Sequence, residues 1–320
     1  MPLIRVQDLV KEYSLPRKFI FQKPPVFRAL HGINLSIEKG ESYGIVGESG
    51  CGKSTLARIV MALDSPTSGT VFYNENDLFS VSQEKLRKLR KHFQMVFQDP
   101  YSSLNPRKKV LSIVSEPLDT LEKSISSSDR KDRVISMLAE VGLSKNDLEK
   151  YPHEFSGGQR QRIAIARALI TKPSLIVADE SVSALDVSVQ AQVLNLMMDL
   201  QEKYDLAFLF ISHDLSVVEF VTQRLAVIYL GRIVEQGLTA EIFEKPFHPY
   251  TQLLLSAIPS VDPEMKNQAE KTVHSGYILE PNSCPFVDRC SLATEICVQQ
   301  APELLEKAGH FVACHHATFD

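Results

Sequence analysis

Gly47-Glu48-Ser49-Gly50-Cys51-Gly52-Lys53-Ser54 constrains this 320-residue chain more than any other stretch. It fits G-x-x-x-x-G-K-[ST], with the strand-like run Ser42–Val46 before it and a helical run from Lys53 to Ala62 after it. That strand–loop–helix context is what a phosphate-binding loop needs. Glycines let backbone N–H groups converge on phosphate oxygens without Cβ clashes, and the helix N-terminus adds the positive end of its dipole. Lys53 supplies a full charge for the β and γ phosphates and Ser54 a hydroxyl for Mg2+. Thr55 completes the nucleotide-binding set. Cys51 reads as a small filler, because only its backbone is needed there.

A second run, Ser174 to Glu180, is an apolar strand ending in two acids. Asp179 at the strand end suits the second Mg2+ contact, and Glu180 is placed to polarise an attacking water. Apolar runs at Leu175–Ala178, Ala207–Ile211 and Leu225–Ile228 read as strands buried on both faces. Shorter strands are expected at 3–6, Ile33–Ile37 and Thr70–Tyr73, a Pro-containing basic loop over 14–28, and a helix over 84–92. Val189, Val193, Leu196, Met197 and Leu200 recur at helical spacing. Between about 100 and 170 the chain is polar, with helical spacing at Val134, Leu138 and Val141, and reads as a helical subdomain inserted between strands. Strands alternating with helices give an α/β fold of the P-loop NTPase class.

Composition narrows the setting. The chain is 44% hydrophobic with a net charge of −4, so it can bury a core and lacks the basic footprint of a nucleic-acid binder. No apolar run reaches the roughly 20 residues a membrane-spanning helix needs, and Met1–Val10 lacks the pattern of a signal peptide. A cytoplasmic protein, linked to a membrane only through partners, is expected.

Phe155-Ser156-Gly157-Gly158-Gln159, before a helix expected at Arg160–Ile170, resembles the L-S-G-G-Q signature of ABC ATPases. The resemblance extends to Gln98 as the Q-loop glutamine, Asp186 as the D-loop acid, His213 as the switch histidine and Tyr13 as the aromatic that stacks on adenine. It implies that Ser156, Gly157, Gly158 and Gln159 close on ATP bound to a second chain. It also implies that Gln98 reaches Mg2+, and that Glu180, His213 and Gln98 form the catalytic set. The runs Gln98–Pro106, Val182–Gln190 and His248-Pro-Tyr-Thr251 are similar to the ATPase subunits of dipeptide and oligopeptide importers. That family implies a second ATPase, a paralogue more than a copy, two integral membrane permeases and an extracytoplasmic solute-binding protein. It places the chain on the cytoplasmic face of the membrane, with no nucleic-acid partner. Nickel and glutathione importers share much of the pattern. A soluble ABC ATPase acting on ribosomes or DNA would be expected to carry two ATPase units or long coiled-coil arms.

The expected division is an ATPase domain over 1–258 and a cysteine-containing tail over 259–320. In the tail, Cys284, Cys290, Cys297 and Cys314 read C-x5-C-x6-C-x16-C. Four thiolates can hold a [4Fe–4S] cluster or Zn2+, with His315 or His316 able to replace one, and this spacing fits neither an ordinary ferredoxin nor a zinc finger. Members of the resembled family can carry a [4Fe–4S] cluster here, which favours iron–sulfur over zinc or unligated thiols.

Overall fold

The computed structural model describes residues 1–17, 24–122, 124–258 and 283–318. The strands are β1 (Ile4–Ser14), β2 (Val26–Ile37), β3 (Ser42–Val46), β4 (Ser68–Tyr73), β5 (Asn76–Asp77) and β6 (Phe93–Val96). They continue with β7 (Leu175–Asp179), β8 (Ala207–Ile211), β9 (Arg224–Tyr229), β10 (Arg232–Leu238), β11 (Leu305–Lys307) and β12 (His310–Val312). An antiparallel sheet in the order β2-β1-β4-β5 stands beside a larger one in the order β11-β12-β10-β9-β3-β8-β7-β6. In the larger sheet β9, β3, β8, β7 and β6 are parallel, so the α/β expectation holds.

The parallel strands separate two cores by simple alternation. Ile176, Ala178, Phe208 and Phe210 pack with the inserted helices on one face. Leu175, Val177, Leu209 and Ile211 pack with the helix Lys53–Val60 and the antiparallel sheet on the other. Successive side chains of a strand point to opposite faces, so a run buried on both must be apolar throughout. Burying each such side chain is worth about 1.5–3 kcal/mol, which fixes the register of the central strands.

The inserted region carries helices at Pro100–Ser103, Val110–Leu121, Ser127–Glu140 and Gly157–Leu169. Val134, Leu138 and Val141 are fully buried, as their spacing predicts. The signature helix starts at Gly157 rather than Arg160. Ser156 caps it, its hydroxyl accepting from the Gln159 N–H while the Gln159 side chain accepts from the Ser156 N–H.

Several expectations change. The first strand runs to Ser14 rather than ending at residue 6, because a bulge between Val6 and Leu9 breaks the alternation without breaking the ladder. The expected loop over 14–28 contracts accordingly, since Ser14 pairs with Val26; residues 18–23 lie outside the described residues. Strands β6 and β10 had not been anticipated. The expected tail over 259–320 is described only from residue 283 to 318. That part is stitched to the main sheet: β12 pairs with Glu235 and Gln236 of β10, and Cys284, Cys290 and Cys297 share a core with Val46, Leu225 and Tyr250.

Candidate functional site

The C-terminal ends of the parallel strands bring the chemistry together, as open α/β sheets do. β3 runs between β8 and β9 and delivers the phosphate loop. Gly47 has φ +151°, and a Cβ there would strike the Ile228 carbonyl of β9, so only glycine lets the loop leave the strand at this point. Lys53 is 4% exposed and donates through Nζ to the carbonyls of Gly47 at 2.7 Å and Glu48 at 2.9 Å. The ammonium is therefore held over the loop before any phosphate arrives. Ser49, Gly50 and Ser54 are exposed, Gly52 and Thr55 half-buried. The first N–H groups of the helix Lys53–Val60 have no intrahelical partner and remain available to an anion. Cys51 is buried, and burial pushes its thiol up, in keeping with an inert filler.

β7 ends one strand away from β8. Asp179 accepts from the Ser54 hydroxyl at 3.2 Å, which joins the two expected Mg2+ contacts in one place. Burial, then the neighbouring Glu180 charge, raises the Asp179 carboxyl above the usual carboxylate range, opposed by Ser54 and Lys53. The sign of its effect follows. A carboxyl whose folded pKa is raised favours the fold only while protonated, below its unfolded value, and opposes it as the pH rises through the folded value. Asp179→Asn should therefore raise the thermal midpoint of the metal-free chain at neutral pH, and the gain should shrink toward pH 4. An unchanged or lower midpoint at pH 7, measured in EDTA, would contradict the burial argument.

Glu180 sits in left-handed backbone at φ +47°, a conformation that costs a non-glycine residue of the order of 1 kcal/mol or more. Its carboxylate meets two side chains from neighbouring strand ends. Gln98 Nε2 donates to Oε2 at 2.8 Å, and His213 Nδ1 lies 3.3 Å from Oε1. Two residues far apart in sequence thus converge on the Glu180 carboxylate, one at each oxygen. The arrangement can hold a polyphosphate at the loop, a divalent cation between Ser54 and Asp179, and a base at Glu180.

Ser156, Gly157, Gly158 and Gln159 form a separate helix-start surface. A Cβ on Gly158 would strike Val189, so the signature helix lies close against the helix Val187–Tyr204. Asp186 caps that second helix, accepting from the Val189 N–H and the Ser188 hydroxyl. Tyr13 is not a loop residue: it pairs with Phe27, and its hydroxyl donates to Asp64 at 2.9 Å. Lys11 Nζ stands 4.8 Å from the centre of its ring.

Two contacts to the loop were not flagged by the sequence. The Glu48 N–H donates to Tyr250 Oη at 2.9 Å, and its carboxylate receives a fork from Arg289. The only hint was Tyr250 within His248-Pro-Tyr-Thr251; Arg289 carried none, because the pairing spans 241 residues.

In the tail, Cys284, Cys290, Cys297 and Cys314 are free thiols. Burial pushes Cys284 up to about 11, and the other three cysteines would each raise it further if ionised; burial also raises Cys290 and Cys314. His316 Nε2 lies 3.6 Å from Cys297 Sγ, and the His316 N–H donates to Cys314 Sγ. His315 instead contacts the Gln300 carbonyl. Among the described residues, no three His, Cys, Asp or Glu side chains are grouped to hold a metal ion. The donor chemistry suits a soft metal.

Among the described residues no helix is long and apolar enough to cross a membrane. Residues 30–183 match the family model described as ABC transporter, and residues 234–297 match the one described as oligopeptide/dipeptide transporter, C-terminal region. The chain is 50% identical to the oligopeptide transport ATP-binding protein AppF of Bacillus subtilis, over 98% of this chain and 97% of that one. It is 47% identical to the dipeptide transport ATP-binding protein DppF of Escherichia coli, over 98% of this chain and 94% of that one. Among solved structures it resembles the dimeric ATP-binding cassette MJ0796 bound to ADP and Pi. That likeness has a TM-score of 0.65 and 29% identity, over 74% of this chain and 98% of the other.

Proposed function

Because this chain belongs to the ABC transporter ATPases, in the branch with an oligopeptide/dipeptide transporter C-terminal region, we propose that it is an ATP-hydrolysing subunit that energises a peptide importer. The observation that carries the reading is the convergence of Lys53, Ser54, Asp179, Glu180, Gln98 and His213 at the C-terminal ends of the parallel strands.

ATP would lay its phosphates along residues 47–55, with Lys53 turning from the loop carbonyls toward the β and γ phosphates. Mg2+, held by Ser54, Asp179 and Gln98, supplies charge neutralisation of the phosphate oxygens. Glu180 takes the proton of the attacking water, and His213 steadies the γ-phosphate. Tyr13 offers its ring to adenine. The exposed start of the signature helix, Ser156–Gln159, covers the nucleotide of a partner ATPase, and Asp186 meets that partner at the same interface. Its Ser156 hydroxyl is engaged in the cap, so the helix start is set before the partner arrives.

The membrane partners fit a groove of about 860 Å3 between the end of β6 and the inserted helices, with Arg90, Gln94, Tyr101, Lys108 and Arg167 in its lining. Its lining residue Tyr101 follows Gln98 by three positions, so a permease loop seated there would bear on the segment that carries the residue touching Glu180. Two permeases, a paralogous second ATPase and an extracytoplasmic binding protein complete the assembly, with this chain on the cytoplasmic face. Cys284, Cys290, Cys297 and Cys314 would hold a structural [4Fe–4S] cluster, with Zn2+ as the alternative. Ligation would deprotonate the thiols and draw them together.

One preparation tests both parts. Purified anaerobically from its native membrane, the chain should bring down two integral membrane subunits, and ATP hydrolysis should rise when a peptide-loaded binding protein is added. Co-purification with ribosomes or DNA would overturn the importer. The same material should contain iron and sulfide, or zinc in their place; metal-free, colourless protein would overturn the tail assignment.

A further inference from the structure

The phosphate loop is anchored at its second residue by two side chains from further along the chain, one of them from the part that carries the cysteines. Glu48 is bound twice. Arg289 grips its carboxylate in a fork, Nη1 to Oε2 at 3.0 Å and Nη2 to Oε1 at 2.8 Å. Its backbone N–H is taken by Tyr250 Oη at 2.9 Å. Neither residue lies in the run from β3 to β9 that builds the nucleotide site.

Both anchors are themselves rigid. Tyr250 is fully buried in the first turn of the helix Pro249–Ser256, which His248 caps by accepting from the Tyr250 N–H. Its ring packs on Tyr229 at 4.6 Å between centroids and on Phe286 at 5.4 Å. The Arg289 guanidinium lies over the rings of Tyr229 at 5.8 Å and Phe286 at 5.6 Å. A planar fork already ordered by aromatic faces loses little freedom on pairing. Phe286, Cys284 and Cys290 lie in the same buried cluster as Tyr250. The loop's entry is thus tied to a packed body, not to a flexible surface arm.

Resting on the nucleotide-site reading above, we infer that Arg289 and Tyr250 are positioning residues for ATP binding, acting through Glu48 to hold the start of the phosphate loop in its binding shape. The physical reason lies in where the chain is freest. Gly47 and Gly52, on either side, stand in positive-φ backbone, and Gly50 between them does too. Glycines carry the largest backbone freedom, so such a loop wanders unless something outside it fixes its course. Tyr250 removes one N–H from the loop's own competition, and Arg289 sets the direction of the residue that follows Gly47. The tail therefore contributes to nucleotide affinity within the same chain, without touching the nucleotide.

The test is a double-mutant cycle on the full chain, read by equilibrium MgATP binding and by KM and kcat for hydrolysis. Arg289→Ala and Glu48→Ala should each weaken MgATP binding about three- to fivefold, the upper range for a partly exposed but bidentate ion pair. The change should appear in Kd and KM with kcat retained, because the groups that perform the chemistry are untouched. The double variant should be no weaker than either single one, and Arg289→Lys should recover part of the loss. If Arg289 only stabilised the tail, its effect would add to that of Glu48→Ala and would appear as a lower melting temperature with unchanged Kd. Either result overturns the inference. A parent chain that binds no MgATP would instead overturn the nucleotide-site reading itself.

Discussion

Glu180→Gln should bind MgATP as the parent does and hydrolyse it about 10³-fold more slowly, the contribution expected of a general base. The side chain is 18% exposed, and its two oxygens are already directed by Gln98 and His213. Glutamine keeps the shape and the left-handed backbone of the position, so it should not disturb β7 or its neighbours. It removes the one property the site needs there, the capacity to take a proton from water. The amide can still accept from Gln98 through its oxygen and donate its NH2 toward His213 Nδ1, so the geometry is kept while the base is lost. Phosphate release and nucleotide affinity should be measured on the same preparation. Hydrolysis at the parental rate would remove Glu180 from its role.

Lys53→Ala should weaken MgATP binding severely and lower any residual turnover by about 10²–10³-fold, the loss typical of one preorganised stabilising charge. The buried ammonium has two carbonyl acceptors, Gly47 and Glu48, so its removal also leaves loop groups without a partner. A hydrogen bond to a charged group contributes about 1.5–3 kcal/mol, and the melting temperature of the nucleotide-free chain should fall. A thermal melt separates the two effects, because a folded variant with no affinity isolates the charge. Retained affinity in a folded Lys53→Ala would move the nucleotide away from this loop.

The parts of the site that local sequence specifies were legible before any coordinates. The loop between β3 and its helix is written in consecutive residues, and the acids closing β7 follow directly on an apolar run. The Ser156 cap shows the limit of that legibility. Its S-x-x-Q spacing is visible, yet the sequence starts the helix three residues late, because two glycines have poor helix propensity and only the reciprocal cap offsets it. Strand β6 escaped notice because Phe-Gln-Met-Val is four residues long and its partner β7 begins more than 70 residues later. The extension of β1 was hidden by Asp8 at φ +46°, the bulge that re-aims the strand. The tail was read as separate because pairing between His310–Val312 and β10 leaves no local period. There the buried Glu235 gathers His310 and the backbone N–H groups of Phe247 and His248. Long-range pairing of this kind, like the grip of Arg289 on Glu48, becomes visible only when the fold brings distant segments together.

Equilibrium binding of MgATP to the purified full chain, alone and with its natural companions, bears most directly on all of this. Saturable binding that disappears in Lys53→Ala is the expected result. No saturable binding in either preparation, or binding that survives the loss of Lys53, would contradict the account.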